Sequence, residues 1–461
     1  MRIAWFSPLP PDRSGIAAYS ADVLAGLRGH EIDAFIDDTS GQDAVLRARP
    51  LAGASIRGAH EFVWRRARRP YDVVVYQLGN SAAHDYLWPY LVRYPGLVVL
   101  HDAQLHQSRA RALIRQFRED DYKAEFRYSY PGVPPLLADL VVAGLGATLC
   151  YFWPMVQIPV ESARTVAVHN AHLASALRGR FPGCDIVRIH MGVPDPGVPP
   201  GAAAGVRRRH GIPEDAVVFG SFGRVTPEKG LTAVVRALAH VAPSVPNLRL
   251  LTVGEPVGYY NLVAQARELG VADVVVSAGY VGDGELASYL AATDVCLNLR
   301  WPTGRETSAA WLRCVAAGKP TIVTDLAHQT DVPSLDVRTM AAAPGGPAGA
   351  EPVCLHIELV DEIPMLRLAL QRLCGDAGLR ERLGRAARRY WEEHATVGLM
   401  VRDYEGLLAR AAAAPDPPRP PAWPAHLAAD GSALARALAA EAGVPYPLAA
   451  GPGGPESSGR A

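Results

Sequence analysis

Two doubly wound α/β domains in tandem are what this sequence predicts, and three observations predict them. Short β-branched runs alternate with longer helix-compatible stretches through most of the chain. The alternation pauses once, at VPDPGVPPGAAAGVRRRHGIPED (193–215), whose Pro and Gly content marks a linker, and then resumes. The two halves also begin alike: IAWFSPLPPDRSGIAAYSADVLAGL and VVFGSFGRVTPEKGLTAVVRAL each run strand, Gly-bearing loop, helix, so one architecture is used twice.

Taken in order, the first half supplies RIAWFS, DVVVYQLG, GLVVLHD, RTVAVHN and DIVRIHMG. These runs are largely apolar, as parallel strands covered on both faces are, and each ends in small or polar residues. The stretch 170–180 is the last full helix before the linker. The second half supplies VVFGSFG, LRLLTVG, DVVVSAGYVG, DVCLNL and PTIVTD, and ARRYWEEHATVGLMVRDYEGLLARA (387–411) carries apolar positions at helical spacing. The chain divides into a first domain at 1–195, a second at 196–395, a last helix at 396–412 and a Pro-, Ala- and Gly-rich tail at 413–461. That tail holds too little apolar surface to offset its ordering entropy, so it is expected to be mostly disordered, with a short helix at SALARALAAEAG. AAAPGGPAGAEP (341–352) reads as a surface loop.

LVVAGLGATLCYFWPMVQI (140–158) is nineteen residues without a charge, close to the length of a membrane span. Gly144, Gly146 and Pro154 interrupt it and no basic cluster adjoins it, so it reads as a buried helix or one lining an apolar groove. WRRARRP (64–70) is a modest basic patch, read as a solvated helix face, with contact to anionic lipid or to a phosphorylated acceptor as the alternative.

Composition narrows the function classes. A chain of 461 residues with 49% apolar content exceeds what one core organises. Lys+Arg 46 balance Asp+Glu 46, so no global charge draws the protein to nucleic acid, and specific sites must carry its binding. The six cysteines are scattered without a Cys-x-x-Cys pair, which argues against zinc and against a disulfide framework and fits a reducing cytoplasm. MRIAWFSPLPP reads as a first strand rather than a signal peptide. Neither half opens with G-x-G-x-x-G, which disfavours an NAD enzyme.

The segments 217–238 and 298–325 carry the chemistry. Each runs from a buried strand through a Gly- and charge-bearing turn into a helix, which aims backbone N–H groups and a positive helix end at an anion; together they read as a diphosphate site. Arg224 and Lys229, after Gly223, flank a helix expected to begin near Pro227. GRETSAAWLR opens a helix at which the N–H groups and hydroxyls of Thr307 and Ser308 suit phosphate oxygens; Glu306 reads either as a ligand contact or as a carboxylate favoured by the helix end. His101 and Asp102 end a strand on the carboxyl edge where open α/β sheets bind ligands, and Gln77, Asn80, His169, Asn170 and His190 close strands on the same edge. Each of these reads as a ligand contact or as a satisfied structural group.

In the order and spacing of its motifs from about residue 2 to residue 410, the chain resembles glycosyltransferase family 4. The motifs are PPDRSGIAAYS, YQLGN, LHDAQLH, GRVTPEKG, GYVGDGELASYLAATDVCLNLRWPTGRETS and AAGKPTIVTD. The resemblance implies a GT-B fold, two Rossmann-like domains facing across a cleft, with the last helix crossing back onto the first domain. It implies a retaining hexosyltransferase that uses a nucleotide-sugar donor, a UDP- or GDP-sugar being favoured. Arg224 and Lys229 would bind the diphosphate, Gly15 would face it from the first domain, and the backbone of Tyr280 and Val281 would meet the nucleobase. Glu306 would touch the donor sugar, His101 a sugar hydroxyl, and the acceptor would lie toward Asp102, Gln77, Asn80, His169 and Asn170. One departure stands out: Arg313 occupies the position of the family's second Glu, which leaves the ribose contact unassigned.

Retention implies front-face transfer, with the leaving phosphate accepting the acceptor's proton; the sequence offers no pair of flanking carboxylates of the glycosidase kind. No cofactor or metal is expected. The acceptor, whether glycan, lipid-linked or small molecule, has no motif that names it. Localisation is expected to be cytoplasmic or peripheral at the inner face of the membrane. A GT-B sugar-nucleotide epimerase and a non-catalytic nucleotide-sugar-binding protein are the alternatives.

Overall fold

Each half of the chain builds one seven-stranded parallel sheet. β1 (Arg2–Phe6), β2 (Glu31–Ile36), β3 (Ala54–Gly58), β4 (Val73–Leu78), β5 (Leu97–Leu100), β6 (Thr165–Val168) and β7 (Ile186–Arg188) form the first, in the order β3-β2-β1-β4-β5-β6-β7. β8 (Val217–Phe222), β9 (Leu248–Val253), β10 (Val275–Gly279), β11 (Val295–Asn298), β12 (Thr321–Thr324), β13 (Ser334–Asp336) and β14 (Cys354–Ile357) form the second, in the order β10-β9-β8-β11-β12-β14-β13. The computed structural model describes residues 1–38, 50–146, 148–329, 331–343, 349–429 and 432–444. Strands such as VVVYQL in β4 are buried throughout, as a sheet covered by helices on both faces requires.

In both sheets the strand order reverses beside the first strand: β1 lies between β2 and β4, and β8 between β9 and β11. The crevices at the carboxyl ends of these reversals are where open α/β sheets bind ligands. The loops carrying Gly15, Asn80, Gly223 to Lys229, and Glu306 to Ser308 leave the sheets there.

The two domains are joined twice. The chain passes from the first to the second after β7, and returns at Ala395 into the helix Val397–Ala413, which packs on the first-domain helix Gly15–Gly26. Thr396 caps the returning helix, its hydroxyl accepting from Leu399 N at 3.3 Å. Tyr404 and Met400 are fully buried, with the Tyr404 ring 5.4 Å from Trp5 and its hydroxyl 3.0 Å from that of Tyr19. Side chains of this size each contribute about 2 kcal/mol when removed from water. The two crossings run side by side: Val193 N donates to Ala395 O (2.9 Å) and Trp391 Nε1 to Val193 O (3.0 Å). A Cβ on Gly192 would stand 2.4 Å from Thr396 O, so only glycine admits this approach.

Three expectations change. The linker contains a helix, Ala202–Arg209, because Ala and Arg favour helix between the bracketing prolines; Val206 is buried, and Arg207 bonds Asp294 at 2.9 Å. The tail, expected to be mostly disordered, lies along the first domain as far as Ala429. Trp423 and Leu427 pack on its core, His426 Nε2 meets Glu125 at 2.8 Å, and Arg164 meets Asp416 at 2.7 Å. A proline-rich strand has little backbone freedom to lose, so these few anchors suffice. Ser432–Glu441 is helical, and 445–461 lie outside the described residues.

The run 140–158 is not one helix but the end of Leu136–Val142, a 3₁₀ turn Leu149–Phe152 and the start of Gln157–Glu161. No helix among the described residues is long and apolar enough to cross a membrane. In the expected loop 341–352, residues 344–348 lie outside the described residues.

Candidate functional site

Between the domains lies a cavity of about 1390 Å³, larger than the roughly 300–1,000 Å³ of common small-ligand sites. The first domain contributes the loop from Pro8 to Gly15, with Asp37, Ser81 and Tyr86; the second contributes Gly223, Arg224, Tyr280 and Val281. Ala309, Ala310 and Arg313, on the helix Ala309–Ala316, complete the wall. Ser14 caps the helix that Gly15 opens, accepting from Ala17 N at 3.0 Å. No atom lies within 4 Å of a Cβ built on Gly15.

Gly223 turns out of β8 at φ +93°, and Arg224 is exposed. Lys229 curls back beneath this turn so that Nζ donates to Phe222 O. Desolvation first, and then the Arg300 charge, lower the Lys229 ammonium to about 8. The expected helix start at Pro227 is instead one 3₁₀ turn, Pro227–Lys229, because Gly230 at φ +65° separates it from the helix Leu231–Val241. The positive groups facing the cavity therefore owe more to side chains and turn N–H groups than to an α-helix dipole. Across the cavity, Arg13 sets its guanidinium 4.1 Å from the centroid of the Tyr280 ring, a cation–π contact between the domains. Sequence reasoning misses Arg13, although its charge is visible within PPDRSG.

A second grouping follows β11. Glu306 accepts from Arg300 Nε (2.8 Å) and from the Thr303 hydroxyl (3.1 Å). Its loop enters the first domain, where Gly304 O accepts from Ala103 N (2.8 Å) and Arg305 O from Asn170 Nδ2 (3.1 Å). Asp102 accepts from Asn80 N at 2.8 Å; burial, and then the nearby charge of Glu306, raise its carboxyl to about 6. Two carboxyl groups from opposite domains thus stand near one guanidinium, that of Arg300.

Glu306, Thr307 and Ser308 line a separate 60 Å³ cavity with His169, Asn170 and His190. The Ser308 hydroxyl caps its own helix, accepting from Trp311 N at 3.2 Å, and Asn170 caps the helix Ala171–Arg180 by accepting from Leu173 N at 2.8 Å.

The strand-edge residues divide. His101 and Gln77 are buried and reach neither cavity: His101 Nε2 donates to Gln77 Oε1 (2.7 Å), and Gln77 Nε2 to the Tyr404 hydroxyl (3.0 Å). Burial, with His169 and His84 adjacent, holds His101 well below the ordinary histidine range. His169 is buried, and burial lowers it to about 4 against the opposing backbone groups of Ile189 and His190. Asn80 accepts from Ser108 N (3.2 Å), and His190 pairs with Asp403 (2.7 Å). In the basic patch, Arg65 pairs with Glu61 and Arg69 with Glu31, each at 2.8 Å, while Arg66 lies over the Tyr94 ring.

Residues 205–332 match the family described as glycosyl transferases group 1. A D-inositol 3-phosphate glycosyltransferase of Stackebrandtia nassauensis is 36% identical over 136 residues, 27% of this chain and 29% of the relative. A 2-deoxystreptamine glucosyltransferase of Streptomyces kanamyceticus is 26% identical over 50% of this chain and 59% of the relative. Each match spans less than two-thirds of the relative's length. Among solved structures, sucrose-phosphate synthase from Thermosynechococcus elongatus superposes at TM-score 0.61 with 17% identity over 89% of this chain and 98% of that one. Anabaena HepE in complex with UDP superposes at TM-score 0.59 with 15% identity over 89% of this chain and 100% of that one. These likenesses show the fold, the two facing α/β domains of GT-B type.

Proposed function

We propose, from the match of residues 205–332 to the group 1 glycosyl transferases, that the protein transfers a sugar from a nucleotide-diphosphate sugar to an acceptor hydroxyl with retention of configuration. The observation that carries this reading is the turn after β8, where Gly223 and exposed Arg224 line a cavity wide enough for a nucleotide-sugar and Lys229, behind them, bonds the strand-end carbonyl of Phe222. The bond from anomeric carbon to diphosphate oxygen breaks as the acceptor oxygen bonds the same face of the sugar, and the acceptor's proton passes to the departing phosphate. Cations fixed beside that growing negative charge lower the barrier most.

Arg224 and Lys229 supply this charge, so the scheme takes no metal. Gly15 offers backbone to the phosphates from the facing wall, and Tyr280 and Val281 flank the nucleobase. Glu306 is assigned to the donor sugar and Asp102 to the acceptor side. UDP- or GDP-sugars suit the site, and the UDP complexes of the Anabaena neighbour support trying UDP first. Six free cysteines support a cytoplasmic setting, and the uncharged run 140–158 leaves peripheral contact with the inner face of a membrane as part of the reading.

A second reading, a binder without turnover, draws on Arg313, a cation on the cavity wall. Thermal shift against UDP-, GDP-, ADP- and dTDP-sugars, followed by nucleotide release with and without acceptors, separates the two. Transfer is expected to show a donor-specific rise in melting temperature that Arg224→Ala and Lys229→Ala abolish, and turnover that depends on acceptor. A donor bound but retained favours the binder, a donor converted alone favours an epimerase, and no shift with any donor sinks both the transferase and the donor site.

A further inference from the structure

Arg13 and Tyr280 meet across the large cavity, and the second sheet fixes which part of a donor they would meet. Phe222 at the end of β8, Val253 at the end of β9 and Gly279 at the end of β10 stand in register. The hydrogen bonding runs one residue further, with Gly223 N donating to Val253 O and Gly254 N to Gly279 O, each at 2.8 Å. Gly223, Gly254 and Tyr280 therefore leave the sheet side by side, and all three line the cavity. β10 is the edge strand, so Tyr280 stands two strands out from Gly223, about 10 Å at the usual strand spacing. A nucleoside diphosphate whose phosphates lie at Gly223 and Arg224 crosses β9 with its ribose and brings the far edge of its base to Tyr280.

Arg13 is held at that end from the first domain. Asp12 N donates to Leu9 O and Ser14 N to Asp12 O, each at 3.0 Å, so its backbone is fixed on both sides just ahead of the helix that Ser14 caps. The side chain is exposed and lines the cavity, and among the described residues no carboxylate pairs with it. Its guanidinium, 4.1 Å from the centroid of the half-exposed Tyr280 ring, engages its charge there and leaves its N–H donors unspent. The phosphates lie two strands away and a base carries no charge, so what a guanidinium offers at this place is donation without acceptance.

We propose that Arg13, seated on the Tyr280 ring, reads the donor's nucleobase and selects one with a carbonyl oxygen on its far edge (guanine O6 or uracil O4) over one with an amino group there (adenine or cytosine). The proposal rests on the nucleotide-sugar reading and names the donor class within it. A guanidinium bonds guanine O6 and N7, or uracil O4, whereas it meets the amino group of adenine or cytosine donor to donor. Backbone groups of Tyr280 and Val281 flank the base, and Arg13 is the side chain that tells bases apart.

The test is calorimetric titration of the full-length protein with inosine diphosphate, ADP, UDP, CDP and inorganic pyrophosphate. Inosine diphosphate against ADP, and UDP against CDP, exchange an oxo for an amino group on one ring. In the tighter-binding of these pairs the oxo nucleotide should bind about tenfold more tightly, the worth of one good pair of base contacts. Arg13→Ala should erase that preference and leave pyrophosphate binding as in the parent. Arg13→Lys, whose ammonium also only donates, should keep part of the preference. A parent without the preference, or a preference that survives Arg13→Ala, overturns the proposal. So does an Arg13→Ala protein in which pyrophosphate and every nucleotide weaken alike, which makes Arg13 a phosphate contact or a tie between the domains. Nucleotides that bind without regard to the oxo group remove this proposal alone, whereas a parent that binds none of the five removes the donor site and the transferase reading with it.

Discussion

Lys229 and Asp102 are both displaced from their ordinary ionisation, in ways that neutral-pH experiments can read. Lys229, lowered to about 8 and bonded to Phe222 O, is mostly charged at pH 7 and mostly neutral at pH 9. A bound diphosphate favours the charged form, so UDP binding should take up a proton near pH 8.5 to 9 and almost none from this group at pH 7. Calorimetry in buffers of different ionisation enthalpy checks this, and Lys229→Ala should remove the uptake.

Asp102 runs the other way. Its carboxyl is raised from 3.8 to about 6, so the neutral form favours the fold, fully below pH 3.8, and that contribution is lost as pH rises through 6. At pH 7 the ionised carboxylate beside Glu306 is a cost. Asp102→Asn keeps an acceptor for Asn80 N and should melt higher than the parent at pH 7, by about 1–2 kcal/mol allowing for solvent at the crevice. The advantage should fade toward pH 4; a constant difference from pH 4 to 8 would show that Asp102 does not titrate there.

Among the elements, the loop after β11 shows how one side chain can serve two scales. Asn170 caps its own helix and donates to Arg305 O of the other domain. Asn170→Ala should therefore cost about 1 kcal/mol from the lost cap and more from the lost bridge, and should widen the distance distribution between the domains in solution scattering. The strands and the reversal of order behind such loops were legible because buried parallel strands are written as apolar runs. The Arg224–Lys229 turn was legible as a strand followed by Gly and charge. What the sequence hid depended on partners far along the chain. Gln77 and His101 end strands on the expected edge, yet Tyr404, more than 300 positions away, turns them into an internal network. Arg13 meets Tyr280 only because two loops from different domains face one another. Gly230 was read as part of a helix start and instead interrupts it, since one left-handed residue leaves no local trace beyond being glycine.

At the scale of the whole molecule, the tail contributes to the first domain although its composition suggested otherwise. Removing residues 414–461 would uncover the core beside Trp423 and Leu427 and take His426 from Glu125 and Asp121. Loss of about 1–3 kcal/mol is expected, read as a lower melting temperature without loss of nucleotide binding. An unchanged melting temperature would mean that the tail's contacts do not persist in solution.

The paired crossings at Val193 and Ala395 have a mechanical meaning. Two bodies tied by one strand can swivel about any axis, whereas two strands bonded side by side fix the axis, as the spine of a book does. Opening is then described by a single angle, and the facing pages return to the same alignment each time they shut. Any sugar carried on one page is presented to the same line on the other.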